Sequence, residues 1–142
     1  MIFWDTSALV SCYVEREASH ARAKNLLMLE GGHKGSELLW PEAVSAIVRR
    51  LGRNRGRRDS LLRRLESHLR AFDLVTVDSD LLGRSVRLIR AHALRAGDAI
   101  HLAAALMLSR EIGIRQLRLV TADAAQAIAA RGEGLRVVEL PA

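Results

Sequence analysis

Four acidic side chains stand where an apolar run gives way to a helical pattern. They are Asp5 in MIFWDTSALV, Glu42 in LLWPEAVSAIV, Asp98 in LRAGDAIHLAAAL and Asp123 in LRLVTADAA. Carboxylates gathered in one crevice repel: two unit charges about 4 Å apart cost on the order of 4 kcal/mol at an effective dielectric of about 20. A hard divalent cation relieves that repulsion, and Mg²⁺ or Mn²⁺ prefers oxygen ligands. The set points to a metal-dependent enzyme acting on a phosphodiester. Asp5 and Asp98 are the strongest candidates for direct ligands, and Asp123 would complete the site directly or through water. Glu42 would hold or orient the attacking water. Thr6, Ser7 and Thr121 could aim the carboxylates, and they are equally helix-capping types. His101 follows Asp98 by three residues on nearly the same helical face. A hard cation prefers oxygen, so packing beneath the site is favoured there over ligation.

Charge supports a polyanionic substrate. Lysine and arginine number 22 against 16 acids, a net charge of +6, and only Lys24 and Lys34 are lysines. Arginine is a fixed, planar, bidentate phosphate donor. The segment RRLGRNRGRRDSLLRR carries Arg49, Arg50, Arg53, Arg55, Arg57 and Arg58 across a helix end and a loop. It could grip an RNA backbone; the alternatives are a solvated helix face or a contact surface for a partner or a second copy. Aromatic residues are 4% of the chain, a poor supply for base stacking. Trp4 and Trp40 fit the core or its rim.

The acids need elements that place them together. An apolar run at 1–4 suits a buried strand, with Asp5, Thr6 and Ser7 opening a helix that runs to about 13. Helices are expected over 15–29, 41–50, 59–71, 80–93, 98–109 and 124–130, and strands over 38–40, 72–77, 117–121 and 135–138. Gly52, Asn54 and Gly56 read as a break, and Asp78 and Asp80 as caps. Strands alternating with helices imply an α/β, three-layer α/β/α sandwich around a central, mainly parallel sheet. Right-handed crossovers then bring the strand ends, and the four acids, to one edge. The 142 residues fit a single domain, 49% of them hydrophobic. No run is long enough for a membrane span and no signal peptide is seen. The one cysteine, Cys12, suits a reducing cytoplasm and core packing.

DTSALV, the glutamate opening the third helix, LRAGDAIHLAAAL and LVTADAA together resemble the PIN-domain ribonucleases, and among them the VapC toxins of toxin–antitoxin pairs. The resemblance covers essentially the whole chain, 1–142. It implies a Mg²⁺- or Mn²⁺-dependent endoribonuclease whose acidic quartet falls on Asp5, Glu42, Asp98 and Asp123, with the accompanying hydroxyl on Thr121. It also implies an RNA substrate, a cognate antitoxin whose tail blocks the cleft, and a homodimer. Many relatives carry Asn where this chain has Ala122.

Three rival readings remain. A flap-type DNA nuclease shares the acids but is usually larger. A phosphoacceptor signalling domain would want a lysine near the last strands, where there is none. A non-catalytic basic nucleic-acid-binding module would use the acids as caps. A nucleotide-binding enzyme is disfavoured, since no Gly-rich phosphate loop is present.

Overall fold

Each crossover between strands carries at least one helix, which returns the chain to the same edge of the sheet and makes parallel pairing the natural result. The computed structural model describes residues 1–14, 18–29 and 31–141. Five strands, β1 (Ile2–Trp4), β2 (His33–Ser36), β3 (Asp73–Val75), β4 (Arg118–Thr121) and β5 (Arg136–Glu139), lie in the order β3-β2-β1-β4-β5. All four pairings are parallel. The helices are α1 (Thr6–Ser11), α2 (His20–Leu27), α3 (Leu39–Leu51), α4 (Arg55–Leu69), α5 (Ser79–His92), α6 (Ala96–Ile112) and α7 (Ala124–Gly132). A short 3₁₀ turn, Ile114–Gln116, precedes β4.

Alternation along the strands divides the core into two apolar layers. Ile2, Trp4 and Val120 pack with Leu9, Leu39, Ile47 and Leu65 of α1, α3 and α4. Phe3 and Leu119 face the other way, against Leu81, Leu88, Leu102 and Leu106 of α5 and α6, with Ala129 and Ala130 of α7. The expected three-layer sandwich is present, and its sheet is wholly parallel. Burying each such leucine or phenylalanine contributes roughly 1.5–3 kcal/mol, so the layers clamp the central strands and leave the carboxyl edge for polar groups. The winding direction reverses between β1 and β4. That switch point is where open parallel sheets bind ligands, and Asp5 leaves β1 there while Asp123 follows β4.

The expected strand at 38–40 is a correction: the second strand is His33–Ser36, and Leu39 and Trp40 open α3. A short apolar run cannot be told from a helical turn by periodicity alone. Leu39 is fully buried while neighbouring Trp40 is 52% exposed, as on one helical turn. Pro41 is tolerated there because first-turn amides need no helical partner. Gly35 leaves room for Leu39, whose Cδ2 would stand 2.7 Å from a Cβ at that position and would have to shift. The expected break at Gly52, Asn54 and Gly56 is shorter than read. Asn54 caps α4, its side chain accepting from Arg57 N, and Gly56 lies inside that helix. The helix expected over 15–29 begins outside the described residues, and α2 is its described part. Asp78 caps α5, whereas Asp80 pairs with Arg84 one turn on. Cys12 is buried and free, and burial pushes its thiol up to about 12, which suits packing rather than nucleophilic work. No helix among the described residues is long and apolar enough to cross a membrane.

Candidate active site

Asp5 leaves β1 in extended geometry and caps α1. Its Oδ2 accepts from Ser7 N at 3.2 Å, from the Ser7 hydroxyl in a short hydrogen bond, and lies 3.1 Å from the Thr121 hydroxyl. Its other oxygen, Oδ1, is buried with no hydrogen-bond partner. Leaving a buried acceptor unmet costs about 1–3 kcal/mol, and more for a charged group. The Ser7 hydroxyl also accepts from Ala122 N at 2.9 Å, tying the start of α1 to the end of β4.

Thr121 accepts from Asp123 N at 3.0 Å, and its single proton is shared between Asp5 Oδ2 and Gln126 Oε1, the latter at 2.8 Å. Gln126 is fully buried. Its Nε2 donates to the carbonyl of Asp98 at 3.1 Å, binding the first turn of α6 to α7. Asp123 caps α7, with Oδ1 accepting from Gln126 N at 3.0 Å. Capping and convergence on the crevice thus coexist in Asp5 and Asp123. Asp98 differs: it sits in the first turn of α6, whose cap position is Arg95. Burial, then the charges of Asp5, Asp123 and Glu42, push its carboxyl up to about 6 against the opposing pull of His101. Three named carboxylates therefore disfavour the ionised form of the fourth.

Glu42, in the first turn of α3, has a different environment. Its Oε1 accepts from the Thr6 hydroxyl at 2.7 Å and pairs with His101 Nε2 at 2.5 Å. Burial opposes ionisation of Glu42, but the hydrogen bonds from His101 and Thr6 and the charge of His101 outweigh it and hold the carboxyl below its usual range. Burial likewise opposes the charge on His101, and the hydrogen bond to Glu42 together with the negative charge of Asp5, Glu42 and Asp98 raises it. The two shifts agree on an imidazolium–carboxylate pair. His101 is 1% exposed, and its Nδ1 lies 3.0 Å from the hydroxyl of Ser36 at the end of β2.

The carboxylates fall into two electrostatic environments. Asp5 and Asp98 have unmet negative charge, and Asp123 adds to it. Among the described residues, no three His, Cys, Asp or Glu side chains stand close enough to enclose an ion alone. Mg²⁺ usually keeps several waters and is held by one or two carboxylates plus substrate phosphates. The orphaned Asp5 Oδ1 and the raised Asp98 fit such a partly hydrated ion.

Of the arginines, Arg49, Arg50, Arg53 and Arg57 line a cavity of about 1000 Å³ floored by Tyr13, Val14 and Leu61. A second cavity, about 380 Å³, runs from Thr6 and Glu42 past Ser45 to the same Arg49. Arg55 and Arg58 lie outside both linings. The half-buried Arg58 donates to the Gly52 carbonyl and pairs with Asp59.

Sequence reasoning missed Ser36 and Gln126, and for His101 it weighed metal ligation against packing, favoured packing, and did not foresee the pairing with Glu42. Gln126 had a signal: Asp123-Ala124-Ala125-Gln126 has capping-box spacing. Its amide turns instead to Thr121 and Asp98. Ser36 had no signal, because the strand carrying it was not recognised.

A parallel α/β/α sandwich with acids gathered at its switch point defines a class in which a cleft at the strand ends does the chemistry. The model of the PIN domain matches residues 2–136, and the chain belongs to that family. PIN domains generally use divalent metal ions. Three solved structures share the fold, each 20% identical to this chain. VapC20 of Mycobacterium tuberculosis, a sarcin-ricin loop cleaving toxin, superposes with a TM-score of 0.70 over 100% of both chains. FitAcB from Neisseria gonorrhoeae gives 0.68 over 98% of this chain and 97% of the other. A toxin–antitoxin complex from Klebsiella pneumoniae gives 0.64 over 97% and 96%. No curated protein matches in sequence.

Proposed function

We propose that this protein is a Mg²⁺- or Mn²⁺-dependent endoribonuclease, the toxin of a toxin–antitoxin pair, restrained by a cognate antitoxin and working in the cytoplasm as a homodimer. The observation that carries the reading is the pairing of a buried, partnerless Asp5 oxygen with an Asp98 carboxyl whose ionisation is disfavoured by burial and then by its acidic neighbours. A divalent cation answers both. Asp5 and Asp98 would hold it, with Asp123 completing the site directly or through water. Such a cation, when bound, lowers the pKa of water and neutralises charge on a phosphate. Ser7 and Thr121 keep Asp5 in place, and Gln126 keeps the Asp98 turn in place. Glu42 orients the attacking water, whose oxygen bonds to phosphorus as one P–O ester bond breaks; the water's proton passes to solvent, and the departing alkoxide oxygen takes one up. RNA as substrate is supported by the description of VapC20 as a sarcin-ricin loop cleaving toxin, and an inhibitor partner by the Klebsiella complex.

The deciding experiment incubates the purified protein with labelled single-stranded RNA and with a flap DNA, each with Mn²⁺ and with EDTA. RNA should be cut only with Mn²⁺, and the flap left intact. Cutting of the flap alone would move the assignment to a DNA nuclease; cutting of neither would leave a binding module. The arginine segment is proposed to supply affinity rather than chemistry. Replacing Arg55, Arg57 and Arg58 with Ala should weaken RNA binding and flatten its salt dependence, since each lost phosphate contact reduces the slope by roughly 0.7 on single strands. Unchanged affinity and slope would give those arginines another role.

A further inference from the structure

Among the described residues, Glu42 is the acid of the quartet that pairs with an imidazole of the protein. Its Oε1 is occupied by Thr6 and His101. Its Oε2 takes no hydrogen bond among the described residues and lies 2.6 Å from where a Cβ on Gly97 would stand. Gly97 directly precedes Asp98, so that oxygen borders the turn presenting Asp98. The side chain doing the holding is itself held. His101 Nδ1 meets Ser36 on β2, and its Nε2 meets Glu42 on α3 and Thr6 on α1. A histidine serving only to fill the core needs one partner per nitrogen; this one joins four elements around one carboxylate oxygen.

We propose that His101 is a positioning residue: seated by Ser36, it pins Glu42 by Oε1 so that Oε2 is presented to the attacking water and Glu42 stays off the cation. The inference rests on the nuclease reading above and deepens it, because it separates the quartet into three acids that bind metal and one that acts on water. An outer partner of a metal ligand typically contributes about 10–100-fold in metal affinity or activity, and the same scale is expected for the partner of a group that orients water. Here the contribution should fall on turnover alone, since Glu42 is outside the metal set.

The test is a double-mutant cycle on Mn²⁺-dependent RNA cleavage, with Mn²⁺ binding and thermal melts measured on each protein. His101→Leu should lower kcat by about 10–100-fold, with KM for RNA and Mn²⁺ affinity near wild type. His101→Gln keeps an amide donor near the Nε2 position and should recover much of the loss. In a Glu42→Gln background, His101→Leu should cost nothing further, because two residues acting as one unit are not additive. Should His101→Leu fail to fold, Ser36→Ala leaves the imidazole present but unseated and should repeat the pattern at smaller amplitude. Normal kcat in a folded His101→Leu or Ser36→Ala protein, or full additivity in the cycle, overturns the proposal. So does a loss of Mn²⁺ affinity in Glu42→Gln as large as that in Asp98→Asn. An inert wild type sinks the nuclease reading and this inference together, whereas an active wild type with an additive cycle sinks the inference alone.

Discussion

The two walls of the crevice handle negative charge in opposite ways. On one, Asp5 at the end of β1 keeps a buried oxygen without a partner, and the carboxyl of Asp98, in the first turn of α6, is pushed up to about 6 by burial and then by its acidic neighbours. On the other, Glu42 in the first turn of α3 is held below its usual range, against the effect of burial, by the Thr6 hydroxyl and by an imidazolium that is itself anchored. Both walls are built from carboxylates on helix first turns or caps, so residue type does not separate them. The partner supplied from elsewhere in the chain does. Unmet charge is what a site for an external cation looks like, and met charge is what a fixed organising group looks like. An acid can therefore be sorted by whether the fold already satisfies it.

The largest test of this contrast is Asp98→Asn. The change keeps shape and removes one charge, so RNA cleavage should fall by orders of magnitude while metal-free stability holds or rises. Saturating Mn²⁺ should stabilise the wild type by mass action, about 2.7 kcal/mol at 100 times Kd, and the variant much less. If Asp98 served only as a first-turn acid favouring the helix N-terminus, loss of its charge would lower stability slightly and leave cleavage unmoved. Thermal melts in EDTA and in Mn²⁺, run beside the cleavage assay, separate the two.

Glu42→Gln should move metal-free stability the other way. It leaves His101 buried opposite a neutral partner, with a loss on the order of 1–3 kcal/mol. Opposite signs for Asp98→Asn and Glu42→Gln in EDTA melts would sharpen the comparison. A shared sign would show that the walls are alike after all.

The smallest effect is on pH dependence without metal. Asp98 has a folded pKa raised from 3.8 to about 6, so the folded state holds more protons across that window. Its contribution to stability is fully present below about pH 4 and is lost as pH rises through about 6. Glu42 has a folded pKa lowered from 4.5, and its contribution is present above 4.5 and lost as pH falls through the folded value. His101, raised from 6.5, contributes below 6.5 and loses that contribution as pH rises through its folded value. The stability advantage of Asp98→Asn should therefore appear near pH 7 and vanish near pH 4, and the cost of Glu42→Gln should shrink in acid. Chemical denaturation of the three proteins at several pH values in EDTA checks both trends.

Local chemistry was legible in the amino-acid order. The β1 apolar run, the Asp5-Thr6-Ser7 opening of α1, the Gly97-Asp98 turn and the Asp123 cap are each determined within a few residues, by burial periodicity and by the needs of helix ends. Strand–helix alternation then demanded a parallel sheet and one shared edge. The second strand was not legible: HKGS has neither an apolar run nor alternation, and His33–Ser36 is a strand because β1 and β3 flank it. Nor was the pairing of Glu42 with His101, 59 residues apart, or the reach of Gln126 to the Asp98 carbonyl. Such contacts have no local cause. Sequence alone determined which side chains could carry charge to the crevice. Only the tertiary structure decided which of those charges are answered, because desolvation and hydrogen bonding depend on which distant elements the core packs together.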